Sequence, residues 1–88
     1  MKYKIVDIIP REGKYKRHVH YSIMNCVCNI DAFEINEPLF MDFSEIEDNI
    51  GCIGYTVTTS RVEDIIFEKS MVKVVTHNTL YVFKEVNE

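Results

Sequence analysis

TTSRVEDI at residues 58–65 and THNTLYVF at residues 76–83 are the two stretches that best indicate the fold of this chain. Both are rich in β-branched and aromatic residues that alternate with polar ones, a pattern typical of half-buried strands. His77 and Asn78 predict a tight turn at the start of the second stretch, because asparagine tolerates the left-handed backbone region. Together they predict antiparallel strands joined by short turns.

The same kind of pattern extends outward through the rest of the chain. Leu39, Met41 and Phe43 alternate with Phe40 and Asp42, and a break is expected near Met24–Asn25. Five to seven short strands are predicted in all, at residues 2–9, 18–30 (one bent strand or two), 39–43, 53–60, 62–67, 71–76 and 80–86. We therefore expect an all-β domain, either a small barrel or a rolled antiparallel sheet, since closure removes exposed strand edges.

One segment departs from the strand pattern. Ser44 followed by Glu47 has the form of a capping box, and Gly51 is a natural helix stop. A short helical turn near residues 44–50, or an acidic loop, is expected there.

Length and composition predict a single small domain over residues 1–88. No apolar run approaches the roughly 18 residues that a membrane span needs. The N-terminal MKYKIVDIIP lacks the long apolar segment of a signal peptide, so we expect a cytoplasmic protein. The three cysteines, an odd number, are expected to be reduced thiols in that compartment.

Charge is distributed unevenly along the chain, whose net charge is -4. Residues 1–20 hold six Lys or Arg and two acids, whereas residues 21–60 hold seven acids and no Lys or Arg. Unless folding mixes these charges in space, one acidic surface is expected to dock on a basic partner surface, with an apolar anchor for affinity. The residues predicted for this role are Asp42, Phe43, Glu45, Glu47 and Asp48. The alternative is a solvated turn that packs on the barrel.

A basic loop, REGKYKRH at residues 11–18, is the second candidate site. Its cations could hold phosphates while the tyrosine stacks on a base. The residues predicted for this role are Arg11, Lys14, Tyr15, Lys16 and Arg17. Direct nucleic-acid binding is not favoured, because the patch is short and the whole chain is acidic.

Metal binding and catalysis are not predicted. His18 and His20 with Cys26 and Cys28 supply zinc-type ligands, but an extended strand would separate the outermost pair by about 30 Å. No cysteine or serine lies in a nucleophile motif, and no cofactor signature is present in the sequence. We therefore expect a non-enzymatic protein with no metal or cofactor.

The two opening stretches also resemble a recurring type of small β protein from bacteriophages and integrated elements. That type pairs a TS-x-V strand with a T-x-N-[ST]-x-Y-x-[FL] closing strand. The matching residues are Thr59, Ser60, Val62, Thr76, Asn78, Thr79, Tyr81 and Phe83. The resemblance implies a viral setting, in which small acidic proteins commonly bind and inhibit a host defence protein. The alternatives are an oligomer that sequesters a nucleotide signal, or an accessory domain with a structural or regulatory role.

Overall fold

A computed structural model describes residues 1–11, 21–44 and 56–86 of the chain. These residues form a closed antiparallel barrel in which each strand pairs with its neighbours in chain order. The strands are β1 (Lys2–Pro10), β2 (Val27–Asn29), β3 (Pro38–Asp42), β4 (Thr56–Glu68), β5 (Met71–Thr76) and β6 (Thr79–Glu85). β1 pairs with β6 and closes the barrel. The prediction of a small all-β barrel is confirmed. The helical turn expected near residues 44–50 falls, after Ser44, outside the described residues.

The alternation of apolar residues places every second side chain in the core. Leu39 and Met41 on β3 are 2% and 0% exposed, and Phe40 between them faces outward. Val72 and Val74 on β5 point inward in the same way. Among residues 1–11, 21–44 and 56–86, none of the helical segments has the length and hydrophobicity of a membrane span.

β4 is one continuous strand of 13 residues, so the prediction of two strands at residues 53–60 and 62–67 is wrong. The register shifts against β3 between Pro38 and Phe40, and against β5 between Val62 and Asp64. Each shift inserts an extra residue in β4. Beyond each extra residue, the side chains that face inward change from odd-numbered to even-numbered positions, or back. The residues that face or pack on the core are therefore Val57, Thr59, Val62 and Ile65. Two bulges let this long strand bend around the barrel.

Positive backbone φ angles mark three of the connections. Asn25 (φ 68°) lies at the predicted break, and Lys69 (φ 53°) lies in the predicted turn between β4 and β5. Tyr21–Ile23 form a short 3-10 helix, which corrects the strand expected there. Asn78 is not among the described residues with positive φ, so the turn before β6 does not depend on that property.

An aromatic cluster covers one end of the barrel. Phe67 pairs with Val72, which in turn pairs with Phe83, so all three lie on the inner face of the sheet. Phe33 lies in the connection between β2 and β3. The centre of its ring is 5.2 Å from that of Tyr3 and 6.1 Å from those of Phe67 and Phe83. Phe33 therefore closes this end of the barrel from outside the sheet.

Candidate functional site

A concave surface beside β3 combines carboxylates with an exposed aromatic ring. It encloses about 190 Å³ and is called the acidic depression here. Its lining residues are Asp31, Ala32, Glu34, Glu37, Pro38 and Phe40. Phe40 has 51% of its surface exposed, and the three carboxylates are exposed as well. None of the lining residues is basic, so the depression is suited to a cationic group that also has apolar surface.

The connection that carries the carboxylates is held to the barrel at both ends. At its start, Ile30 N donates to Met1 O over 3.1 Å. At its end, Asn36 N donates to Val62 O over 2.8 Å, and Val62 N donates to Glu37 O over 2.9 Å. Asn36 adopts a φ of 73°, which turns the chain back toward β3. With Phe33 packed on the barrel end, these contacts hold the carboxylates in place around the depression.

Two of the predicted acidic-surface residues are described, and they serve the fold. Asp42 Oδ1 accepts hydrogen bonds from Ser44 Oγ (2.6 Å) and Ser44 N (2.9 Å), which lower the pKa of Asp42. Phe43 is fully buried in the core and cannot anchor a partner; Phe40 is the exposed ring instead. The remaining predicted acids, Glu45, Glu47 and Asp48, lie outside the described residues.

Arg11 is the described member of the predicted basic loop. Its Nη1 donates to Glu63 Oε1 over 2.6 Å and to Thr76 O over 2.9 Å. Glu63 Oε2 lies 3.1 Å from His77 Nδ1, and the hydrogen bonds from Arg11 and His77 lower the pKa of Glu63. Arg11 therefore ties β1 to the β4 bulge and to the turn before β6. The other predicted loop residues, Lys14, Tyr15, Lys16 and Arg17, lie outside the described part of the chain.

The cysteines differ from the three reduced thiols that were expected. Cys26 is disulfide-bonded, so that prediction is wrong for this residue. Cys28 is free and fully buried, and burial together with the charge of Asp42 raises the pKa of its thiol to about 12. A thiol with that pKa stays protonated at neutral pH, so Cys28 is a poor nucleophile in the folded protein. His18 and His20 lie outside the described residues.

The residues that carry the phage-type resemblance contact one another and support the fold. Thr59 Oγ1 accepts a hydrogen bond from Leu39 N (3.0 Å) opposite the first bulge of β4. Asn78 N donates to Ser60 Oγ (3.3 Å), which links the two motif stretches. Thr76 Oγ1 donates to Thr79 O (2.9 Å) and accepts from Thr79 N (3.1 Å) across the turn. These contacts give the motif a structural role.

The sequence predicted binding acids at residues 42–48 and neither a strand nor a binding site at residues 31–38. The signal for the acidic depression was present, since Asp31, Glu34 and Glu37 recur every third residue in a stretch without Lys or Arg. Phe40 follows on the outward face of the next strand. What the spacing alone does not show is that the connection folds back so that these residues share one concave surface.

No protein family, curated protein or solved structure matches this chain.

Proposed function

We propose that this protein is a non-catalytic phage or mobile-element protein that binds and inhibits a host protein through its acidic surface. The observation that carries the proposal is the acidic depression, in which three carboxylates surround the half-exposed ring of Phe40. Carboxylates steer and orient a basic partner, and a central aromatic ring supplies buried area. A nucleic-acid-handling defence enzyme has the basic surface that such an acidic face could occupy in place of phosphates.

The viral setting and the inhibitory role rest on the phage-type resemblance at Thr59–Val62 and Thr76–Phe83. Charge and shape support the binding part of the proposal independently of that resemblance. A nucleotide-sequestering role ranks second, because the guanidinium of Arg11 already donates to Glu63 and Thr76. An accessory role inside the phage would need no partner at this surface.

The test compares two triple variants that remove the same amount of charge. D31N/E34Q/E37Q neutralises the acidic depression, and D64N/E68Q/E85Q neutralises three acids on β4 and β6. The tagged parent and both variants are used to capture proteins from host lysate, and the captured protein is then titrated in its own activity assay. Loss of three exposed ion pairs at about 0.5 kcal/mol each predicts an affinity roughly tenfold lower for the first variant.

The control variant should bind and inhibit like the parent, and raised salt should weaken the parent's binding. Equal capture and equal inhibition by the two variants would contradict the proposal, because the position of the charges would then not matter. A co-purifying nucleotide with no protein partner would favour the sequestering role.

A further inference from the structure

The barrel has few backbone pairs between β2 and β3, and this junction is called the seam. Within the described strands, these two pair through a single position, Asn29 with Asp42. Continuing that register by two residues on each side would set Asp31 opposite Phe40, but β2 ends at Asn29 and the chain leaves the sheet. Each of the other neighbouring strand pairs has three or more paired positions. β3 therefore continues beyond the end of its neighbour.

Backbone direction along β3 shows which groups face this seam. Glu37 O accepts from Val62 N, and Leu39 N donates to Thr59 Oγ1, so both of these residues direct backbone groups toward β4. Successive residues of an antiparallel strand direct their N–H and C=O groups to opposite sides. Pro38 C=O and the N–H and C=O of Phe40 therefore point toward the seam. Among the described residues, no turn or loop hydrogen bond joins the backbone of Phe40 to the connection after β2.

The acidic depression lies at this seam, since Asp31, Pro38 and Phe40 line it. An unpaired strand edge is a template for another strand, and peptide-binding domains use such edges to capture extended segments. Cationic side chains of an added strand would meet the carboxylates of the depression, and one of them could stack on the exposed Phe40 ring. Charge complementarity thus selects a basic segment over an acidic or neutral one.

We infer that β3 binds an extended, cationic polypeptide segment of a partner protein, which pairs with Phe40 as an added strand. This inference rests on the proposed function, because it states how the acidic depression holds its partner. Backbone pairing supplies the orientation of the segment, and the carboxylates supply its selection.

The experiment uses a short peptide in which Lys or Arg alternates with Val. Its control is the same peptide N-methylated at alternate amides, which keeps every charge but removes the N–H groups that a strand needs. Affinity is measured by calorimetry, and amide exchange at Phe40 is followed by NMR. We expect the methylated peptide to bind at least about tenfold more weakly, as loss of two hydrogen bonds implies. The unmodified peptide should slow exchange at the Phe40 amide, while the amide of Ile66 on β4 should not change.

Equal affinity of the two peptides, unchanged exchange at Phe40, or no binding of either peptide would each overturn the inference. Protection of Phe40 before any peptide is added would also overturn it, since the chain itself would then fill the seam. Protection that rises with protein concentration would identify a second copy as the occupant instead. The proposed function is tested separately. If the parent binds both peptides equally and D31N/E34Q/E37Q captures less partner, the proposed function is supported and strand addition is not.

Discussion

Replacing Phe33 with alanine tests whether the connection between β2 and β3 depends on the aromatic end of the barrel. Phe33 is partly buried and touches three other rings, those of Tyr3, Phe67 and Phe83. Truncation of a fully buried phenylalanine costs about 3–5 kcal/mol. Because Phe33 is only partly buried, we expect about half of that, roughly 2 kcal/mol. For a domain of this size such a loss lowers the Tm by roughly 10 °C.

The assay is urea and thermal unfolding followed by circular dichroism, with Phe67→Ala as the matched control. Phe67 is 66% exposed, and among the described rings it contacts that of Phe33 alone, so its truncation should cost less than about 1 kcal/mol. The double variant should show a coupling energy of about 0.5–1 kcal/mol between the two rings. Phe33→Ala should also weaken binding of the cationic peptide, because the connection that carries Asp31 and Glu34 loses its anchor.

Two results would refute this reasoning. One is a loss below about 0.5 kcal/mol in Phe33→Ala, which is within the usual effect of a surface substitution. The other is an equal loss in Phe33→Ala and Phe67→Ala, which would show that the barrel end is not centred on Phe33.

Three further predictions concern residues of the fold. Thr59→Val leaves the buried N–H of Leu39 without its acceptor and should destabilise the protein by about 1–3 kcal/mol in urea unfolding. Thr59→Ser keeps the hydroxyl and should lose much less stability. Equal stability of the two variants would contradict a role for this hydrogen bond. The pKa of Glu63 is lowered first by its hydrogen bond from Arg11, so its contribution is present above the unfolded-state pKa and is lost as pH falls through the lower folded value. Glu63→Gln should therefore flatten the fall in urea midpoint below about pH 5, and unchanged acid sensitivity would argue against the ion pair. Cys28, with its thiol pKa of about 12, should resist alkylation at neutral pH until the protein unfolds. Peptide mapping by mass spectrometry measures this labelling. Rapid labelling of the native protein would show that the Cys28 thiol is accessible.

Local pattern was sufficient to predict much of the barrel. Alternation at Leu39, Met41 and Phe43 predicted β3 and its inward face, and that same alternation explains why Phe43 is buried rather than available to a partner. The break at Met24–Asn25 was also predicted correctly, because the backbone preferences of single residues are local. By contrast, β4 was divided into two strands, since its bulges break the period of two that identifies a strand in sequence.

An all-β chain with an acidic middle could be predicted from the sequence, because side-chain alternation, turn residues and charge are properties of short segments. Which acids share a surface, and where the barrel is weakly closed, became known from the folded chain. Both depend on contacts between residues far apart in the chain, such as Ile30 with Met1 and Asn36 with Val62. Those contacts hold the connection in a position where Asp31, Glu34 and Glu37 line one depression together with Phe40.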